Sequence, residues 1–224
     1  MKYGETAFDI FYLICAVTVG ILILTKARDK AEKLMGFAVL ILGCGDAFHL
    51  VPRVLNYFSD ADFTAALGIG KLITSLTMTV FYVLMYRIWL AYYEECEDRT
   101  LTCAVYVPAV IRVVLCLFPQ NGWLTNEAGM LWGCIRNIPF VVLGILIIVL
   151  YYRNRKKERI LQNIWLYVLL SFAFYIPVAV FAGVLPMLGM LMLPKTICYL
   201  CMILTFYRSV KAERKKKTAQ QMPV

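Results

Sequence analysis

The sequence predicts an all-α polytopic membrane protein, a bundle of seven transmembrane helices. Hydrophobic residues make up 62% of the 224 residues and charged residues only 17%, with a mean hydropathy of +0.73. That composition is too apolar for a soluble domain of this size. Seven apolar runs also reach about 20 residues, the length that crosses a hydrocarbon core about 30 Å thick. The runs lie at 7–25, 34–52, 64–90, 100–118, 129–152, 161–184 and 187–207.

The first run is predicted to be a span and not a cleaved signal peptide. Its leader sets Lys2 against Glu5 and Asp9 and so lacks a basic n-region, and charged residues stand where a cleavage site would follow. The loops between the runs are too short to form another domain. We therefore expect a transmembrane domain over 1–210 and a basic cytoplasmic tail over 211–224.

Basic residues are distributed unevenly between the two sides of the membrane. They fill the first loop, the fifth loop and the tail, whereas the second, fourth and sixth loops carry almost none. The positive-inside rule then places the N-terminus outside and the C-terminus in the cytoplasm. The net charge of +9 follows from this topology, and nothing in the sequence indicates a nucleic-acid partner.

Five basic residues lie inside the apolar runs, and the helical rise of about 1.5 Å per residue places them all in the outer half of the bilayer. They are Arg53, Lys71, Arg112, Arg136 and Lys195. An ionisable side chain at such a depth costs about 2.5–3.5 kcal/mol on insertion scales and normally faces the interior of a bundle. The acids available to them are Asp46 and one of Glu5 and Asp9. Because buried charges are normally paired, the surplus of cations predicts an anionic ligand, a phosphate or a carboxylate.

The second and third runs carry polar residues along one face. Asp46 lies about 18 Å from the cytoplasmic end of its helix, and His49 and Arg53 follow at spacings of three and four. Lys71 lies about 10 Å from the outer end of the third run, and other residues continue its face at helical spacing. These residues are Thr74, Ser75, Met78 and Tyr82.

The later runs complete the predicted cavity. Arg112 comes late in the fourth run, Arg136 and Asn137 come early in the fifth, and a polar and aromatic stripe in the sixth run reaches Tyr175. Tyr199 lies one turn below Lys195 in the seventh. We expect these faces to enclose a polar cavity that is roofed by aromatic residues and open to the outside.

Other interpretations of these residues stay open. Arg53, Arg112 and Arg136 lie near enough to helix ends to snorkel to the headgroups, whereas Asp46, Lys71 and Lys195 are too deep for that. His49, the single histidine of the chain, is either part of the site or a hydrogen-bonded core residue. One histidine cannot build a His-rich zinc site, so no metal and no cofactor are predicted.

Three further patterns have structural interpretations. The segment from Gly68 to Lys71 lacks the strand and the hydroxyl residue of a phosphate loop, which favours a close-packing helix face. A lysine in the last of seven helices is typical of retinal proteins, but Leu191 occupies the position of their preceding aspartate. Cys116 and Cys134 flank the fourth loop, and the sequence leaves their pairing undecided.

The segment Gly45-Asp46-Ala47-Phe48-His49-Leu50-Val51-Pro52-Arg53 resembles the Gly-Asp helix of the YhhN-like lysoplasmalogenase family. The resemblance implies a membrane hydrolase that cleaves the vinyl ether of lysoplasmalogens, with Asp46 as a catalytic residue. The chain departs from the family in having seven spans, no Lys-Pro pair in the first helix and no acid in the last three helices. In this resemblance, either Asp9 replaces the missing acid or the chemistry differs.

Vinyl ether hydrolysis needs an acid to protonate carbon and a base to activate water, and Asp46 and His49 suit these two roles. We predict them as catalytic residues of a lipid hydrolase in the plasma membrane of a bacterium. The rival prediction is a receptor or transporter that binds an anionic small molecule or a lipid headgroup in the same cavity. The predicted ligand-binding residues are Arg53, Lys71, Ser75, Tyr82, Arg112, Arg136, Asn137, Tyr175, Lys195 and Tyr199. The expected partner is a membrane lipid or an anionic small molecule, and the sequence leaves the oligomeric state open.

Overall fold

The computed structural model describes residues 2–126, 129–181 and 185–220, without the side chains of Pro186 and residues 215–220. It confirms the prediction of an all-α bundle with seven helices long and apolar enough to cross a membrane, and the chain is an integral membrane protein. The helices are α1 Lys2–Lys26, α2 Lys30–Phe58, α3 Thr64–Tyr92, α4 Arg99–Leu117, α5 Met130–Asn154, α6 Ile164–Phe181 and α7 Met192–Gln220. The last residues of the predicted span 161–184 and of the predicted tail 211–224 lie outside the described residues.

The seventh helix begins later than the sequence predicts. Residues Pro186–Leu191 form a 3₁₀ segment, and α7 starts at Met192 instead of residue 187. Pro194 falls in the first turn of α7, where the missing N–H of a proline has no helical partner to lose. This start leaves Lys195 one turn from the beginning of the helix, at the end of the bundle that also carries the N-terminus. We call this end, with the α2–α3, α4–α5 and α6–α7 connections, the outer end.

Close packing between α2 and α3 fixes the helices that carry the candidate site. A Cβ added at Gly70 would overlap the backbone of Phe48 and His49, and one added at Gly68 would overlap the backbone of Trp123. Thr74 Oγ1 also donates a hydrogen bond of 3.0 Å to the carbonyl of Gly45 across the same interface. The predicted close-packing role of the glycines before Lys71 is confirmed.

The inner half of the bundle is filled by large aromatic side chains. Tyr86, Tyr151 and Phe206 are completely buried, and Phe81 is 1% exposed. The Tyr151 hydroxyl donates to the Met85 carbonyl at 3.1 Å, which satisfies its polar group within the core. The thiols left undecided by the sequence, Cys116 and Cys134, are both free.

Candidate functional site

A cavity of about 580 Å³ lies between the helices in the outer half of the bundle. All predicted site residues except Tyr82 and Tyr199 line it. They come from six different helices, so residues chosen on single helix faces converge in space. These residues are Asp46, His49, Arg53, Lys71, Ser75, Arg112, Arg136, Asn137, Tyr175 and Lys195.

The two exceptions lie beneath the cavity. Tyr82 and Tyr199 are buried, and Tyr82 packs edge-on against Phe140 and Phe172. Phe172 precedes the cavity-lining Tyr175 by one turn on the inner side of α6, and Tyr199 follows Lys195 by one turn on the inner side of α7. The aromatic residues therefore form the floor of the cavity, and the predicted aromatic roof was wrong.

Arg53 is neutralised by an acid from the first helix. It forms an ion pair with Glu5, and the Tyr57 hydroxyl both accepts from Arg53 Nε at 3.2 Å and donates to Glu5 at 3.2 Å. The side chains of Arg53 and Glu5 are each 22% exposed. Arg53 is thus held at the rim of the cavity by protein groups, and its charge is already balanced.

Lys71 and Arg136 are bound by the loop that connects α4 and α5. Lys71 Nζ donates to Asn126 Oδ1 at 2.7 Å, and Arg136 Nη1 donates to Asn121 Oδ1 at 2.8 Å. The Arg136 guanidinium also lies 4.4 Å from the centre of the Trp123 ring. Asn121 caps α4 at the same time, since its Nδ2 donates to the Leu115 carbonyl at 2.8 Å. These two cations anchor a loop over the outer end of the site.

Arg112 differs from the other arginines of the cavity in its hydrogen bonds. It is only 2% exposed, and its guanidinium carbon lies 3.5 Å from the centre of the Phe140 ring. Its Nε and Nη1 atoms are buried without a hydrogen-bond partner among the described residues, and none of the ion pairs between those residues includes it. The snorkelling alternative fails for Arg112, because a snorkelling side chain would reach the surface.

Lys195 lies between two tyrosine rings and near the one acid of the cavity. Its Nζ is 4.9 Å from the ring centre of Tyr175 and 5.1 Å from that of Tyr199. It interacts electrostatically with Asp46, although no oxygen of Asp46 lies within 4.0 Å of it. The direct partner of Asp46 is Tyr12, whose hydroxyl donates to Asp46 Oδ2 at 2.7 Å.

His49 lines the cavity together with Asp46 and Lys71. Its Nδ1 is buried and has no hydrogen-bond partner among the described residues. The ring also forms a hydrogen bond with the backbone of Leu67, so the alternative of a hydrogen-bonded core residue stays open. A free imidazole nitrogen and a carboxyl group in one cavity are groups able to transfer protons to and from a bound molecule.

Sequence reasoning missed Tyr12 and the loop residues that bind the cations. Tyr12 follows Asp9 by three residues and shares its face, which was the one available signal. Asp9 is 3% exposed and interacts electrostatically with Asp46, but it does not line the cavity. Asn121 ends a three-residue 3₁₀ segment and Asn126 lies in a turn with a φ of 57°, so the periodicity of the long helices gave no indication of them.

Comparisons of the chain with protein-family models, with curated proteins and with solved structures find no match. The functional argument for this integral membrane protein therefore rests on the chemistry of its cavity.

Proposed function

We propose that the cavity binds an anionic amphiphile and that Arg112 is the principal anion-binding residue. The observation that carries the proposal is a buried guanidinium with unpaired donors facing a cavity in the membrane. Arg53, Lys71 and Arg136 already have partners in the protein, whereas Arg112 does not. A phosphate or carboxylate would accept two parallel hydrogen bonds from its planar fork.

We further propose that the bound amphiphile is a lysophospholipid with a vinyl ether and that the chain hydrolyses it in the outer leaflet of a bacterial plasma membrane. Asp46 and His49 supply an acid-base pair in the same cavity as Arg112. One group protonates the vinyl ether carbon and the other removes a proton from water, which attacks the resulting cation. The adduct then collapses to an aldehyde and a glycerophospho-alcohol. The resemblance of the Gly45–Arg53 segment to the lysoplasmalogenase helix supports this choice of substrate.

A turnover assay with a matched control tests the hydrolase proposal. The purified protein should release aldehyde from a lysoplasmalogen and none from the saturated ether analogue, because only the vinyl ether is protonated to a stabilised cation. Asp46→Asn should lower the rate by at least about 10²-fold, the low end for removing a general acid-base group. The control Asp62→Asn changes an exposed aspartate that caps α3 and should leave the rate unchanged.

One observation favours the receptor or transporter alternative. Asp46 is already held by Tyr12 and lies near Lys195, as expected for a counter-charge with a structural role. In that case the protein would bind lysoplasmalogen or a phosphate-bearing analogue saturably, with dependence on Arg112, and release no aldehyde. Such a result would replace the hydrolase proposal with the binding function and leave the anion site in place.

A further inference from the structure

The contact between α5 and α6 is tighter in its inner half than in its outer half. At Gly144, an added Cβ would overlap the ring of Phe172, so the two helices interlock there. Gly133 lies three turns nearer the outer end of α5. Among the described residues, only the carbonyl oxygen of Ala179 comes within 4 Å of a Cβ built at Gly133, at 3.8 Å. The space beside Gly133 belongs to the cavity.

The wall of the cavity on this side is apolar. The outermost cavity-lining residues of α5, α6 and α7 carry apolar side chains, whereas the polar residues of the same helices, such as Asn137, Tyr175 and Lys195, line the cavity about one turn deeper. The apolar wall consists of Met130, Val178, Ala179, Val180 and Met192. The cavity is therefore amphipathic, with a deeper part suited to an anion and an outer part on this side suited to hydrocarbon.

The apolar wall adjoins the surface that faces lipid. Met130 lines the cavity and is 54% exposed, and Ile176 and Phe181 on the outer part of α6 are exposed large hydrophobic residues. Exposed apolar side chains on a transmembrane helix contact the acyl chains of the bilayer. A hydrocarbon chain can thus pass from the outer leaflet to this wall without crossing a polar surface.

Arg112 lines the same cavity as the apolar wall, so one ligand can contact both. Its unpaired guanidinium is almost fully buried and lines the same cavity, and it rests on the ring of Phe140 on α5. An anionic group bound to Arg112 is within the cavity that Gly133 also lines. One molecule with a charged head and an apolar chain would contact both.

We propose that the apolar wall is a separate subsite for the hydrocarbon chain of the ligand, entered laterally beside the exposed Met130, and that Gly133 limits the size of the chain it accepts. This inference rests on the anion-binding part of the proposed function and does not require catalysis. Glycine at this position leaves this part of the cavity wall without a side chain. A Cβ built there is at van der Waals distance from the nearest described atom, so alanine fits without displacing α6, and the longer side chain of leucine takes up more of the cavity.

Binding of probes with and without a chain tests the subsite. The protein in lipid nanodiscs is titrated with glycerol 3-phosphate, 1-hexanoyl lysophosphatidic acid and 1-hexadecanoyl lysophosphatidic acid, and the signal of empty nanodiscs is subtracted. Affinity should rise in that order. Gly133→Leu should weaken binding of both acyl probes by at least about 10-fold, since each methylene displaced from burial is worth up to about fourfold in affinity.

Two variants and one probe separate this effect from misfolding. Gly133→Leu should bind glycerol 3-phosphate as the unsubstituted protein does, and Gly133→Ala should have an intermediate effect on the acyl probes. Gly189→Leu is the matched control, because Gly189 lies in the outer 3₁₀ segment, has open space around it and does not line the cavity. It should bind all three probes normally.

The inference is overturned if affinity does not depend on the chain, or if Gly133→Leu weakens glycerol 3-phosphate as much as it weakens the acyl probes. In either case the anion site at Arg112 would stand without the subsite. Failure of the unsubstituted protein to bind any of the three probes would overturn the anion site, and the subsite with it.

Discussion

The two halves of the bundle differ in whether buried polar side chains have hydrogen-bond partners. In the inner half the Trp89 indole donates to the Leu150 carbonyl at 3.1 Å, and Tyr151 is satisfied in the same manner. Among the described residues, the buried side-chain atoms without a partner lie at the outer end, with the exception of the Tyr93 hydroxyl. The outer group comprises Thr6, Asp9, His49 and Arg112. Unpaired buried groups are costly, and two of these residues, His49 and Arg112, line the cavity, which supports the proposed binding site.

The glycines of α5 show the same division. Gly144 accommodates the ring of Phe172 and so increases packing between two helices, whereas Gly133 is in looser contact with α6 and lines the cavity. One residue type on one helix thus serves stability in the inner half and a cavity in the outer half. The comparison predicts that substitutions will affect stability most in the inner half and ligand binding most in the outer half.

The largest loss of stability is expected from Phe81→Ala. Phe81 is buried, with its ring near those of Tyr82 and Tyr199, so truncation leaves a void in the packed half. The cost should be about 3–5 kcal/mol, seen as a lower unfolding temperature in detergent. Phe37→Ala on α2 is the control, because Phe37 is 52% exposed and its truncation opens no void. Equal losses for the two variants would contradict a tightly packed inner half.

Arg112→Leu should have the opposite effect on stability. Removal of the buried unpaired guanidinium should leave the protein as stable or raise its free energy of unfolding by up to about 4 kcal/mol in buffer without phosphate. Binding of glycerol 3-phosphate should be lost. Arg99→Leu changes an exposed arginine at the other end of α4 and should alter neither property. A strongly destabilised Arg112→Leu protein would show that the guanidinium is structural.

Tyr12→Phe tests whether Asp46 belongs to the fold or to the ligand. The substitution removes the hydrogen bond that a buried carboxyl group accepts, at a cost of about 1.5–3 kcal/mol for a charged acceptor. Tyr3→Phe, on the exposed part of the same helix, supplies the baseline. Both are compared by thermal unfolding. An unchanged Tyr12→Phe protein would mean that another donor replaces the hydroxyl.

We expect the smallest effect on stability from a substitution on the surface at the inner end of the bundle. Glu95 lies outside the spans, and its hydrogen bonds from Lys157 and then Asn154 hold its pKa below the ordinary value of 4.5. A lowered pKa in the folded state contributes stability above pH 4.5, and this contribution is lost as the pH falls from there through the folded-state value. Glu95→Gln should lower the free energy of unfolding at pH 7 by less than about 1 kcal/mol. It should also flatten the dependence of stability on pH below 4.5.

Salt separates this surface contribution from a change in packing. The difference between the Glu95→Gln protein and the unsubstituted protein should vanish in about 1 M salt, where the Debye length is about 3 Å. A difference that persists at high salt would place Glu95 in a packing role.

Helix geometry explains how much of the site the sequence could predict. The spacing of Asp46 and His49, together with their depth, is set by one helix, and the same holds for Lys71 and Ser75. Because these residues lie at similar depths on different helices, the sequence was enough to predict that they share one cavity. Tyr82 and Tyr199 share those faces but lie a turn or more deeper, and a helix face gives the direction of a side chain without the position of the cavity floor.

The remaining features of the site depend on loops and on contacts between helices, which helical periodicity does not describe. The asparagines that bind Lys71 and Arg136 lie in a loop, and no rule of spacing connects Asn126 to Lys71 across 55 positions. The ion pair of Arg53 with Glu5 required a choice between Glu5 and Asp9 that the sequence left open. The place of Gly133 in the cavity wall depends on how α5 and α6 pack against each other, which no single helix encodes.

The loop over the outer end has a consequence for the rate of binding. Asn121 and Asn126 satisfy the donors of Arg136 and Lys71 with neutral amide oxygens, so these hydrogen bonds leave both positive charges in place at the entrance. Charges of one sign around a low-dielectric opening attract oppositely charged molecules over distances of about a Debye length. Association of an anion should therefore be fast at low ionic strength and slow as salt is added, while its residence time, set by contacts inside the cavity, should change little.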